Sequence, residues 1–374
     1  MRGKYVAVLD VRSREMTAVV AEKGVNNTFI IKSKYTACYD GFAEGEFLDV
    51  GSFSSAVCDV VGKTLTSLGG IKSFYVGVPG EFLSLVNVDR TLSFHNLKKI
   101  TSYDMEELAA AAMPASDGKW RFIRSSCLYY TLSDKRKTVN PVGCVSDGLQ
   151  GSFCFFRCDN AFIGCLMDAF KRFGEIATVN LLPAPYAEAM YLVEPEIRDD
   201  CAVLFDFGDI SSTYSVVRGN GLLYSEAFSV GVGHIAMYLM SEFDMPYEVA
   251  SEFLKTVNLN AKERLSAKEE CVYEGKVYSF PTVELRDKIR EALDGICETL
   301  EECRQNYSGK SIEGKPLLVT GEGVKTIRGA VEHISGRLVK AVEAVAPKIP
   351  YYDKPRFGSL FSLIDMALND EKNR

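Results

Sequence analysis

Long apolar runs are missing from this chain. None approaches the roughly 18 consecutive apolar residues that a membrane-crossing helix needs. Met1-Arg2-Gly3-Lys4 leads only into the short apolar stretch Tyr5 to Leu9, which is not expected to act as a secretion signal. An excess of positive charge is also missing. The formal net charge is −7, so no nucleic-acid partner is expected. Histidine is scarce: His95, His234 and His333 are the only three. None has the matched Cys or acid spacing of a nucleophilic triad. Cysteine is present 11 times, an odd count, but never as Cys-x-x-Cys. Reduced thiols in a cytoplasmic protein are expected. Cys154, Cys158 and Cys165 lie close together, but no His is near. Cys154 and Cys158 fall on one face of a strand-like run, Ser152 to Cys158, as buried thiols do.

What is present is ordinary globular material: 374 residues, 47% hydrophobic and 25% charged. That excludes a disordered chain, a fibre and a small disulfide scaffold. At about 150 residues per domain, two domains are expected, or three. Strand and helix signals alternate, which points to an α/β fold. Strands are expected at Tyr5 to Asp10, Met16 to Ala21, Asn27 to Ala37, Phe74 to Val78 and Lys315 to Val319. A helix is expected where Phe53, Ala56, Val57, Val60, Val61, Leu65 and Leu68 recur, ending at Gly69-Gly70. Pro281 opens another, with Leu285, Ile289, Leu293, Ile296, Leu300 and Cys303 on one face. A hairpin turning at Glu274-Gly275 precedes it. The run Lys135-Arg136-Lys137 lies beside a turn and reads as a solvated loop.

An internal repeat is the informative feature. Lys4 to Val11 resembles Asp200 to Phe207, each an apolar strand ending in Asp. A polar turn follows, then a returning strand with Val19-Val20 or Val216-Val217, then Gly24 or Gly221. Aligning the Val-Val pairs requires one extra residue in the second turn. An Asp ending a buried strand is costly without a partner. Asp10 and Asp206, facing each other across a cleft, would suit a hydrated divalent cation. The turns would offer backbone N–H groups to phosphates. Gly321-Glu322-Gly323, after a third strand, would pass near an adenosine. Equally, the two Asp would do no more than cap turns.

The motif set resembles the actin, sugar-kinase and heat-shock chaperone ATPase superfamily, and within it the division protein FtsA. Asp10-Val11-Arg12-Ser13-Arg14 stands where FtsA has Asp-Ile-Gly-Thr-Ser. Asp206-Phe207-Gly208-Asp209-Ile210-Ser211-Ser212 stands for Asp-Ile-Gly-Gly-Gly-Thr-Thr, and Val319-Thr320-Gly321-Glu322-Gly323-Val324 for Leu-Thr-Gly-Gly-Gly-Ala. Tyr75 to Gly80, Val139 to Gly143 and Ser229 to His234 also look like FtsA. The resemblance implies an actin-like fold: two ribonuclease H-like lobes around a central cleft, with an FtsA-type extra subdomain. It implies subdomain 1A at 1–82, 160–196 and 345–374, and the extra subdomain 1C at 83–159. It implies 2A at 197–233 and 301–344, and 2B at 234–300. It implies ATP held by Asp10, Ser13, Asp206, Gly208, Ser211, Gly321 and Gly323, with Mg²⁺ on Asp10 and Asp206. In FtsA the 2B region receives the C-terminal tail of the tubulin-like FtsZ. On that ground the helix Pro246 to Leu254 is the candidate partner site, with Tyr247, Phe253 and Leu254 at its centre. An ordinary amphipathic core helix is the alternative.

The departures fall on the chemistry. Phosphate loops use Gly so that the backbone can approach the anion. Arg12 replaces the first-loop Gly, and Asp209 and Ile210 replace two in the second. An Asp209 carboxylate about 4 Å from a phosphate charge costs roughly 4 kcal/mol at an effective dielectric of about 20. Glu322 adds a second such charge. Arg12 either offsets one charge or fills the phosphate site itself, pairing with Asp10, Asp206 or Asp209. Ala184 stands where related ATPases orient the attacking water, and Glu188 lies one turn on. Weak or lost hydrolysis is therefore expected. At the C-terminus, Leu360, Phe361, Leu363, Ile364 and Leu368 suit either a membrane surface or the last core helix. The acidic neighbours Asp365, Asp370 and Glu371 favour the core helix, so no direct membrane anchor is expected. Three functional readings follow. The first is an FtsA-like scaffold binding an FtsZ-like tail or another division protein. The second is an actin-like ATPase that self-associates into filaments with ATP. The third is a PilM-like adaptor that binds a peptide in pilus assembly.

Overall fold

The computed structural model describes residues 5–25, 28–115, 117–174, 176–262 and 267–373. Lys4 and Asn27, where two of the sequence readings begin, lie outside them. Two five-stranded sheets carry the architecture. In the first, the strand Tyr5–Val11 is central. It pairs antiparallel with Glu15–Lys23, which pairs with Phe29–Cys38. On its other side run Ser73–Val78 and Thr178–Pro183, both parallel. In the second, Ala202–Asp206 is central. Ser212–Arg218 and Gly221–Phe228 follow on one side, Leu317–Thr320 and Val342–Ala344 on the other. The strand order is the same in both sheets, so the repeat read in the sequence is a duplicated lobe. Helices cover both faces of the first sheet, which explains why its central strand is a continuous apolar run.

Asp10 lies opposite Thr17, and Asp206 lies opposite Thr213. The Asp-to-Thr step is therefore the same in both copies. The extra residue required by the Val-Val alignment is not there. Those valines matched by shared buried composition, whereas the pairing register sets true equivalence.

Leu83–Lys99, Val145–Asp159, Trp120–Leu132 and Lys137–Thr138 form a separate four-stranded sheet. The helix Ser102–Ala112 packs on it over Ile100, Leu108, Tyr130, Leu149, Phe153 and Phe155. Thr101 and Asp104 start that helix with a reciprocal capping box. The hairpin Lys268–Tyr273 and Lys276–Pro281 turns on Glu274 (φ 48°) and Gly275 (φ 77°), the paired left-handed conformation of a tight hairpin.

Two expectations about amphipathic helices come out on the side of the core. The C-terminal helix Gly358–Asn373 packs on the helix Ala184–Leu192 and on the first sheet. Leu360, Phe361, Leu363, Ile364 and Leu368 are all buried there. Gly77 has no side chain because a Cβ would sit 2.4 Å from Leu363. The helix Tyr247–Thr256 packs on the helix Val232–Phe243 and on the hairpin strand Lys268–Tyr273, and buries Val249, Ala250, Phe253 and Leu254. Phe253 is 1% exposed and Leu254 0%, so the candidate partner site at these two residues is corrected. Their apolar face is already satisfied within the lobe and offers nothing to a tail. Among the described residues no helix is long and apolar enough to cross a membrane.

Candidate functional site

The two Asp-ended strands bring their turns together between the lobes. Asp10 is 4% exposed, and Ser359, from the first turn of the C-terminal helix, donates a hydrogen bond to its Oδ1 at 2.8 Å. Burial pushes the Asp10 carboxyl up to about 6, against the opposing pull of Arg12. The Arg12 backbone N–H closes its own turn onto the Glu15 carbonyl at 2.9 Å. Its guanidinium crosses into the other lobe. Nη2 lies 2.9 Å from Asp206 Oδ1 and Nη1 lies 3.3 Å from Glu188 Oε1. Of the partners open to Arg12 in the sequence, the fold selects Asp206 and adds Glu188. Glu188 is 3% exposed. Burial, then the charge of Asp206, hold its carboxyl well above the usual range. Burial opposes the Arg12 charge, but the Asp206 and Glu188 carboxylates outweigh it and raise its pKa.

The next residues of the turn complete the contact. The Ser13 Oγ accepts the Ile210 N–H at 3.0 Å. Arg14 donates to the Tyr247 hydroxyl, lies 4.9 Å above that ring and is 3.7 Å from Asp209. Asp209 is pushed upward by burial, with Arg14 opposing. A second link joins the lobes nearby: the Glu44 N–H donates to Ser229 Oγ, which donates to Glu81 at 3.0 Å. Arg14 is half exposed, so its clasp is worth little by itself. Arg14→Ala is expected to cost about 1 kcal/mol in equilibrium urea unfolding.

Gly208, Ser211, Gly321 and Gly323 all lie at this junction, but their backbone serves the fold. The Gly208 N–H is taken by Ser212 Oγ, and a Cβ there would sit 2.0 Å from the Ser211 carbonyl. Gly321 adopts φ 95°, and a Cβ would sit 2.3 Å from Asp206 Oδ1. The Gly323 N–H donates to the Phe207 carbonyl at 2.9 Å. Arg12 and Ser13 line two cavities. The inner one, lined by Arg12, Ser13, Glu188, Asp206, Ser211 and Ser359 among others, measures about 30 Å³. That is room for one or two waters. The outer chamber is about 540 Å³. Its lining sets Arg12, Arg14, Lys255 and Arg356 against Glu15, Asp40, Asp209 and Glu322.

These residues do not fit magnesium and a triphosphate. The place between Asp206 and Glu188 is filled by a guanidinium, the Gly208 and Ile210 N–H donors are spent, and the inner cavity is too small. The balanced charges of the outer chamber give a polyanion no net attraction. Among the described residues no group of three or more His, Cys, Asp or Glu side chains is placed to hold a metal. Sequence reasoning found Asp10, Ser13, Asp206 and the glycines, all of which the fold gathers here with Tyr247. It missed Arg14 as a clasp and Ser359 as the Asp10 donor. Ser359 lies 349 residues from Asp10, with no local signal to link them.

No protein-family model matches the chain, and no curated protein matches it. Its fold does match solved structures. One is the PilM-PilN type IV pilus biogenesis complex, at 14% identity and TM-score 0.65 over 97% of this chain and 98% of that one. Another is MreB5 of Spiroplasma citri bound to ADP, at 11% identity and TM-score 0.58 over 99% and 98%. A third is the ethanolamine utilization protein EutJ from Carboxydothermus hydrogenoformans, at 14% identity and TM-score 0.54 over 98% and 90%. At these identities the likeness is one of fold. The chain has the actin-like fold, two duplicated α/β lobes around a cleft.

Proposed function

We propose that this chain is an actin-fold scaffold or adaptor that works without a nucleotide cycle. The observation that carries the reading is the Arg12 guanidinium between Asp206 and Glu188. It supplies a fixed positive charge where the fold's Asp pair would suit a metal, and it ties the first turn to the opposite lobe. A lobe pair held by its own side chains is a rigid platform rather than a nucleotide switch. Titration calorimetry with Mg-ATP tests this, with no binding expected up to millimolar concentration. Micromolar binding that Asp10→Ala abolishes would sink the reading and favour the working ATPase.

The sequence favours an FtsA-type scaffold of cell division, with an FtsZ-like tail or another division protein as partner. The burial of Phe253 and Leu254 removes the surface first considered for that tail. The pilus-type adaptor gains support from the likeness to PilM solved with PilN. Fluorescence anisotropy with an FtsZ-type tail peptide and a PilN peptide separates the two: the adaptor reading expects binding of the second alone.

A further inference from the structure

The separate sheet at 83–159 belongs to the first lobe by chain connection. It follows the strand Ser73–Val78 and leads into the helix Asn160–Phe170, which packs on the helix Val50–Ser67. Side chains fix it to the same lobe. Arg124 makes a two-pronged ion pair with Asp370 of the C-terminal helix, at 2.9 and 3.0 Å. The Phe156 ring lies 4.8 Å from that of Tyr186. Its strand Trp120–Leu132 nevertheless reaches the second lobe. There it meets the turn Gly219-Asn220, which joins Ser212–Arg218 to Gly221–Phe228.

The Asn220 N–H donates to the Leu128 carbonyl at 3.1 Å, and the Ser126 hydroxyl donates to the Asn220 carbonyl. Beyond the turn, the Asn87 side-chain amide donates to the Leu223 carbonyl at 2.6 Å. The turn is shaped for this contact. Gly219 takes φ 54°, and a Cβ there would sit 2.2 Å from the Leu128 carbonyl oxygen. A Cβ on Gly221 would sit 2.8 Å from Cys154 Sγ and from Leu128 Cγ. Leu128, Cys154 and Leu222 are buried in one apolar cluster that both lobes share. The turn also holds the segment by which the chain first crosses between the lobes. That segment is the short helix Pro195–Asp200, and the Gly219 N–H donates to its Arg198 carbonyl at 2.8 Å.

We propose that the 83–159 sheet splints the hinge between the lobes, with the Gly219-Asn220 turn as its wedge. Domains that close around a cleft turn on a few loop or element-terminal residues. Here one such crossing is bonded to the turn, and the turn is bonded to a sheet rooted in the first lobe. The lobes rotate only when the turn leaves the Leu128 edge. The contacts across the cleft are of another kind. There side chains meet one another or a single N–H: Arg12 with Asp206 and Glu188, Ser13 with Ile210, Ser229 with Glu44. The splint joins main chain to main chain over buried apolar groups, so it is the last contact to part. A partner that draws the sheet off the turn would free the cleft from a distance. The splint acts whatever the cleft holds.

The test is hydrogen–deuterium exchange of the full chain, read by mass spectrometry. Three amides that donate between the lobes report on it: Asn220 to Leu128, Ile210 to Ser13 and Glu44 to Ser229. Asn87→Ala/Ser126→Ala removes two side-chain bonds of the splint and leaves the glycines and the apolar cluster in place. Peptides carrying Ile210 and Glu44 should then exchange roughly tenfold faster or more. Arg12→Met/Glu188→Gln breaks the cleft contact alone. It should speed the same two peptides and leave the Asn220 peptide as slow as in the parent. The proposal fails if the splint variant speeds exchange only around 126–130 and 218–224, or nowhere, because the cleft would then be uncoupled from the turn. It also fails if the cleft variant speeds all three peptides alike, because the hinge would then depend on the cleft. Mg-ATP binding in the calorimeter would overturn the proposed function and leave this result standing.

Discussion

Arg12→Ala should lower the stability of this protein by about 3–5 kcal/mol, the usual cost of removing one partner from a buried charge pair. The loss comes from what is left behind. Glu188 is 3% exposed and already held well above the usual carboxylate range, and it would lose the Arg12 cation. Glu188 would then fold as the neutral acid. Its unfolded form ionises near the ordinary value, so stability of the variant should fall as pH rises above about 4.5. Urea unfolding of the parent and variant across pH 5–8 measures both effects. The double variant Arg12→Met/Glu188→Gln should recover part of the loss, because it removes both charges of one contact. A loss below about 1 kcal/mol would mean that the cleft opens in solution and the bridge is not made.

Asp10→Asn should stabilise the protein at neutral pH, by as much as about 3 kcal/mol. The folded carboxyl titrates near 6 instead of 3.8 because of its burial. Between those values the folded state holds a proton that the unfolded state has released. The penalty therefore grows as pH rises through that window and is complete above about 6. A shift of roughly two units corresponds to about 3 kcal/mol. Asn removes the charge, and its Oδ1 still accepts the Ser359 hydroxyl. The gain should shrink to about 0.5 kcal/mol near pH 4 and vanish below about pH 3, where Asp10 is protonated in both states. Thermal unfolding at pH 4 and pH 7 checks this. A destabilised variant at pH 7 would show that the ionised carboxylate is needed, as it would be for a bound cation.

Both predictions rest on the proposed reading, in which the Arg12 guanidinium and not a bound metal meets the acids of the cleft.

The sequence by itself determined the α/β alternation and the duplicated strand-Asp-turn-strand, and it set Arg12, Asp209, Ile210 and Glu322 in the turns that follow strands. Those signals are local, carried by residues a few positions apart. The hairpin at Glu274-Gly275 was legible for the same reason. The tertiary structure alone decided which acids Arg12 meets, because Glu188 arrives on a helix 176 residues away. It alone decided that Phe253, Leu254 and the C-terminal stripe belong to the core. Periodicity shows that a helix has an apolar face, but only the packed neighbours show what covers it.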